Sequence, residues 1–208
     1  MTIEKTPCVF LPFPGGNLRP KRADEVELIR SWVAINNPEN WIYLARRLPQ
    51  GLTAQRAWLE QESGPNQITL IIEYDNEPIG TIGAGNIDWI NRTAVTGALI
   101  WEQKYWNRGI GTKAKMVLLN YLFNQLNLRL IESRVLAFNG RSAKYSDKCG
   151  YREDARLPER FQFGDRLFDE IVLSVTKARW CPLWEAFRSE HQLETLDEML
   201  ERHKQINH

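Results

Sequence analysis

Trp106-Asn107-Arg108-Gly109-Ile110-Gly111-Thr112 decides how this chain is read. Ahead of it, Ala94 to Trp101 is a short β-like run; behind it, apolar residues at helical spacing extend from Gly109 to about Leu126. Two glycines at a helix start let a ligand approach the backbone with no Cβ in the way. The first helical N–H groups lack intrahelical partners and carry the positive end of the dipole, so such a turn suits a phosphate or pyrophosphate. Lys104, Arg108, Lys113 and Lys115 crowd the same end. Cations there oppose the dipole, which an anion nearby would explain. A plain loop-to-helix turn with solvated lysines accounts for the same residues without one.

Three phosphate-binding patterns can be tested against the stretch. The Walker A pattern is absent. The dinucleotide fingerprint G-x-G-x-x-G/A matches through Gly109, Gly111 and Ala114, with Glu132 near the place of a ribose-binding acid. In that fold, however, the strand runs straight into the first glycine, and here Glu102 to Arg108 intervene. The third pattern, Q/R-x-x-G-x-G/A between a strand and a helix, is the acyl-coenzyme A loop of the GNAT acetyltransferases. The stretch resembles that loop, with Trp106 where the family often has Gln or Arg. Tyr105 to Gly111 is similar to the Tyr-Trp-Gly-Lys-Gly-x-Gly form found in ribosomal-protein N-terminal acetyltransferases and their relatives, a subgroup that includes polyamine acetyltransferases.

A second segment supports the resemblance. GNAT proteins carry Asn-x-x-Ala/Ser followed by Gly-Phe/Tyr, and Asn139, Ser142, Gly150 and Tyr151 fall in that register. A capped short helix, with Asn139 at its start and Gly150 past its end, explains Asn139 and Gly150 equally well. It does not explain two signatures in the right order and at about the right distance. The resemblance covers roughly residues 17–177, including Leu18-Arg19-Pro20 and the Phe163-Gly164-Asp165 turn with Asp169 after it.

The rest of the chain bounds the answer. Its 208 residues, 43% hydrophobic and 25% charged with net charge +1, suit one ordinary globular domain and give no support to a nucleic-acid or membrane surface. No apolar run approaches a membrane span, and Met1 to Phe10 lacks a signal-peptide core. Cys8, Cys149 and Cys181 have no metal spacing and read as free thiols, so a cytoplasmic location is expected. The histidines, His191, His203 and His208, all lie near the C-terminus, which excludes a His-based triad or zinc site in the main body. No metal is expected.

In chain order, Val9 to Phe13 reads as an edge strand and Ala23 to Ile35 as a helix ended by Asn36-Asn37-Pro38. Trp41 to Leu48 is a short helix or loop, and Thr53 reads as the cap of a helix to about Glu62. Ile68 to Tyr74 and Ile79 to Ala84 form a hairpin, Asn86 to Arg92 a polar loop, and Ala94 to Trp101 a third strand. A helix, a strand at 130–137, a short helix at 140–148 and a hairpin about Gly164-Asp165 follow. This order predicts a mixed α+β domain, for which the resemblance implies a GNAT-like, mostly antiparallel sheet flanked by helices. Residues 1–177 would form the acetyltransferase domain. Residues 178–208 read as a helical extension packed on that domain or on a second subunit, as in a homodimer.

The resemblance implies direct transfer of an acetyl group from acetyl-CoA to a primary amine. The pyrophosphate would be held by N–H groups of Arg108, Gly109, Ile110, Gly111 and Thr112, beside Trp106 and Asn107. The strand end at Leu99, Ile100 and Trp101 would splay from its neighbour, pair with the pantetheine arm and polarise the thioester carbonyl. Asn139 and Ser142 would contact the coenzyme. Glu102 is the candidate base, through water, although a solvated loop carboxylate reads equally well. Many family members protonate the leaving thiolate with a Tyr seven residues after the Asn. Ser146 stands there and Tyr145 one residue early, about 100° round the helix, which leaves Tyr145, Ser146 or solvent as the acid. The acceptor site would draw on residues 32–48 and the Asn86–Arg92 loop. Glu39, Asp88 and Glu102 there are offset by Arg46, Arg47 and Arg92, so a protein N-terminus and a small amine both fit. Two other classes remain: a nicotinamide-dependent oxidoreductase and a GNAT-fold protein that binds CoA without catalysis.

Overall fold

In the computed structural model residues 8–44 and 48–206 are described; Met1, Arg46, Arg47 and His208 lie outside them. The first elements are β1 (Leu11–Phe13), β2 (Gly16–Arg19), α1 (Glu25–Asn36) and α2 (Pro38–Trp41). Asp24 caps α1 by accepting from the Glu27 N–H at 2.8 Å, and Asn37 closes α1 while capping α2, whose first residue is Pro38. The next helix, α3 (Leu52–Glu60), starts earlier than its Thr53 suggested: Gly51 takes the cap position with no side-chain hydrogen bond.

Then come β3 (Ile68–Tyr74), β4 (Glu77–Asp88) and β5 (Thr93–Ile100). Asp75 and Asn76 are both left-handed, as a tight hairpin turn requires. The strand β4 runs through what reads as a loop, because an irregularity between Gly85 and Asp88, with Asn86 left-handed, lets pairing resume at Asp88. After α4 (Ile110–Asn120) the helix widens into a π turn at Tyr121–Gln125, followed by β6 (Leu130–Leu136), α5 (Gly140–Lys148), β7 (Arg152–Phe163) and β8 (Arg166–Thr176). The C-terminal segment is two helices, α6 (Lys177–His191) and α7 (Leu196–Ile206), parted by a left-handed Gln192.

Among the described residues these strands form one sheet in the order β1-β2-β3-β4-β5-β6-β8-β7. Every pairing is antiparallel except β5 with β6. The main core lies under α4 and α6, where Leu118, Leu122, Phe123, Trp180 and Trp184 pack on Ile82, Ile131 and Val175. On the other face α1 closes a smaller cluster of Ala34, Ile71 and Trp101. Arg19 pins α1 to the sheet, pairing with Glu27 at 2.9 Å and with Glu73 at 2.6 Å.

Candidate active site

The parallel pairing of β5 with β6 lasts only from Thr93↔Leu130 to Val95↔Glu132. Beyond that rung β5 stays with β4 as far as Ile100, and β6 stays with β8 as far as Leu136. A cavity of about 1260 Å³ occupies the gap and reaches both faces of the sheet. On one side it is walled by Arg108 to Thr112 and by α5; on the other by residues of α1, α2, α3 and β3.

Backbone direction alternates along a strand. The Trp101 N–H donates to Ile79 O at 2.8 Å, and Gly80↔Ile100 fixes the register, so that N–H and the backbone groups of Leu99 and Gly97 turn to β4. Ala98 and Ile100 turn theirs into the gap. This corrects the expectation for Leu99 and Trp101. Both line the cavity, but the Trp101 carbonyl accepts from Asn40 Nδ2 at 2.9 Å and its indole is buried against Ala34 and Ile71. Ala98 carries no motif of its own, and counting residues outward from the pairing with β4 places it on the gap.

The loop before α4 turns through left-handed Asn107 and Gly109, which brings the start of the helix onto the cavity. Gly111 has an ordinary helical backbone, and a Cβ there would meet only the Ile100 Cδ1, at 3.8 Å. No protein neighbour requires glycine at this position, and the space above it opens on the cavity. Trp106 donates its indole N–H to the Ile100 carbonyl at 3.0 Å, and the Arg141 guanidinium stacks 3.6 Å from its ring centroid.

The four cations near this turn have separate fates. Arg108 lines the cavity, its guanidinium 5.5 Å from the Tyr74 ring. Lys104 pairs with Glu102 at 2.7 Å, Lys113 reaches the Pro14 carbonyl at 3.5 Å, and Lys115 is fully buried. A second set of cations comes instead from α5, where Arg141, Lys144 and Lys148 line the cavity at helical spacing. The signal for these was present in the sequence as basic residues on one face.

Asn139 caps α5, its Oδ1 accepting from the Ser142 N–H at 3.2 Å, and both residues line the cavity. So does Tyr145, whose phenol is pushed up from its ordinary pKa by burial. Ser146 lies on the core side of α5, fully buried and away from the cavity. Glu102 requires a correction. Its carboxylate does not line the cavity; it is held by Lys104 at 2.7 Å and by Arg30 at 3.9 Å, with 37% of the side chain exposed. The physical reason is local. Glu102 precedes the turn Gln103–Tyr105 without capping it, which leaves its carboxylate to Lys104 of that turn and to Arg30 of α1.

The dinucleotide reading fails on the same geometry, since β5 ends well before Gly109 and its partner β4 is antiparallel. Residues 17–152 match the acetyltransferase (GNAT) domain. The chain belongs to the GNAT acetyltransferase family. It is 29% identical over 122 residues to the uncharacterized N-acetyltransferase p20 of Bacillus licheniformis, spanning 59% of this chain and 68% of that protein. It is 26% identical over 171 residues to the putative ribosomal N-acetyltransferase YdaF of Bacillus subtilis, spanning 78% and 90%. Its fold is shared with a spermidine N-acetyltransferase from Vibrio cholerae solved with CoA and spermine: TM-score 0.72, 19% identity, covering 80% of this chain and 98% of that one. Among the described residues no helix is long and apolar enough to cross a membrane.

Proposed function

We propose that this acetyltransferase moves the acetyl group of acetyl-CoA directly to a primary amine on a peptide-like acceptor, a protein or peptide N-terminus, and not to a polyamine. The parting of β5 and β6 beside the start of α4 carries the acetyl-CoA reading. A gap in the sheet with free backbone edges suits the two amides of a pantetheine arm, and the open helix start suits its pyrophosphate. Ala98 and Ile100 would pair with the arm. The Ile100 carbonyl, already bonded to Trp106, keeps a second lone pair for this. The N–H groups from Arg108 to Thr112 would hold the pyrophosphate, and Arg141, Lys144 and Lys148 the remaining phosphate.

In the reaction the acceptor nitrogen bonds to the acetyl carbon, the carbon–sulfur bond breaks, and the sulfur leaves with a proton. Tyr145 stays protonated at neutral pH and would give a hydrogen bond, and then that proton, to the sulfur. The amine's proton leaves through water, because no carboxylate among the described residues lines the α1 side of the cavity.

That same lining supports the choice of acceptor. Ser31, Asn40, Gln55, Trp58, Gln67 and Thr69 face the α1 side, all uncharged. A polyamine carries further cations that need carboxylates close by. A peptide offers amides, which neutral amides and hydroxyls satisfy. The test follows free-thiol release from acetyl-CoA with free N-terminal peptides and with spermidine in parallel. Turnover with peptides but not spermidine supports the proposal, and the reverse overturns the acceptor class. Acetyl-CoA binding with no turnover on either panel would favour a non-catalytic CoA-binding protein.

A further inference from the structure

Lys115 is a charged group that the chemistry above does not use. It lies one turn beyond Gly111 in α4, 0% exposed. Its ammonium donates to Thr96 Oγ1 at 2.9 Å. The same oxygen is 2.8 Å from the Tyr151 hydroxyl and donates to the Glu132 carbonyl at 3.1 Å. Thr96 has one hydroxyl hydrogen, given to Glu132, so its lone pairs take Lys115 and Tyr151. The rings of Tyr145 and Tyr151 flank the ammonium, each centroid 5.6 Å away. Cys149 faces it from the end of α5, its thiol pushed up to about 12 by burial and so uncharged. Among the described residues Lys115 makes no ion pair, and Glu132 meets this cluster only through its carbonyl.

The position of Thr96 gives this cluster a role. Val95↔Glu132 is the last rung joining β5 to β6, and Thr96 is the next residue. Its neighbours Val95 and Gly97 line the cavity, while its own side chain turns inward to Lys115. A buried charge with no counter-charge costs stability, and an apolar side chain of the same length would cost less. What such a charge can gain is a ligand's negative charge close by. One turn before Lys115 the α4 start lines the cavity, and the phosphates of acetyl-CoA would sit there.

We propose that Lys115 is a positioning residue of the cofactor cleft: its ammonium, tied to Thr96 at the point where β5 and β6 part, holds that vertex and supplies fixed positive charge behind the α4 start for an anionic coenzyme. This rests on the acetyl-CoA reading. Burial holds the Lys115 pKa down to about 8 without ligand. An anion nearby favours the charged form and raises it. Binding is then coupled to protonation. Affinity is full below about pH 8 and falls as pH rises through that value, by up to roughly tenfold per pH unit until the raised pKa is reached. The phosphates finish titrating by about pH 7, and Cys149, Tyr145 and Tyr151 are all shifted upward, away from this window.

Calorimetric titration with acetyl-CoA from pH 7 to 9.5 tests this, on the wild type and on Lys115→Met, Lys115→Arg and Thr96→Val. Wild type should lose affinity above about pH 8, with proton uptake on binding. Lys115→Met should bind about tenfold more weakly at pH 7 and show no step. Lys115→Arg, always charged, should show no step either. Thr96→Val keeps the lysine and removes its acceptor, so the step should move to lower pH. That variant and Lys115→Arg keep the test decisive if Lys115→Met does not fold. A step that stays at about pH 8 in all variants overturns the proposal while leaving the acetyl-CoA reading intact. No binding by the wild type at any pH overturns the acetyl-CoA reading itself.

Discussion

On the α4 side of the gap the cavity wall is backbone and cations: the open N–H groups from Arg108 to Thr112, the gap-facing edge of Ala98 and Ile100, and the basic face of α5. On the α1 side it is neutral side chains drawn from α1, α2, α3 and β3. Backbone can be aimed by one contiguous turn, because Asn107 and Gly109 set the direction for everything after them. Side chains from four elements can be aimed only by the packing of the whole domain. On the α1 side, the proposed acceptor arm, this is done by small bonds between elements: Gln55 to Ser31 at 2.8 Å joins α3 to α1, and Asn40 to the Trp101 carbonyl joins α2 to the end of β5. The first arm suits a ligand whose anionic part is always the same. The second can be altered one side chain at a time without disturbing the first.

The sharpest way to break this separation is at Gly111. Replacement by Val places carbon where only Ile100 Cδ1 is near, so the fold should hold, with a thermal midpoint within a few degrees of wild type. The new side chain would stand over the N–H groups of the helix start. Losing two charge-assisted hydrogen bonds of about 2 kcal/mol each weakens acetyl-CoA binding roughly 1000-fold. Retention of wild-type affinity in a titration would mean that the anion sits elsewhere.

Tyr145→Phe comes next. It should lower kcat about 100-fold, the usual scale of a general acid, with the acetyl-CoA KM unchanged. Unchanged turnover would assign the proton to solvent. In the acceptor arm Trp58→Ala should raise the acceptor KM about tenfold and leave that for acetyl-CoA alone, the effect of truncating one aromatic anchor of about 1.4 kcal/mol. Movement of both constants would show that the arms are coupled.

The same contrast governs what could be read from the chain. The α4 turn, the Asn139 cap and the sheet strands are local patterns, carried by glycine, asparagine and alternation. The choice between Tyr145 and Ser146 turned on about 100° of helix rotation, and only the packing of α5 shows that Tyr145 lines the cavity. Lys115 reads as one more basic residue of an exposed helix start, yet it is buried on Thr96, a contact between residues on two elements. Arg141 carries no motif, and its place on Trp106 depends on how α5 meets the loop. Trp180 and Trp184 on α6 enter the main core, where their segment reads only as a helical extension packed on the domain or on a second subunit.

The smallest expected effect falls on Glu102, and for that reason it sharpens the comparison most. The residue follows the strand end by two positions and is the nearest carboxylate in sequence to the reacting region. Its side chain, however, faces Lys104 and Arg30 on the rim, outside both arms. Glu102→Gln should therefore leave kcat and both KM values unchanged. It should cost at most about 1 kcal/mol of stability, the worth of a solvent-exposed ion pair, which for a chain of this size is a fall of roughly 2–4 °C in Tm. A drop in kcat of tenfold or more, with a changed pH profile, would mean that Glu102 swings into the cavity when substrates bind. The acceptor arm would then hold a carboxylate after all. The case against a polyamine, which rests on the absence of one there, would lose its basis.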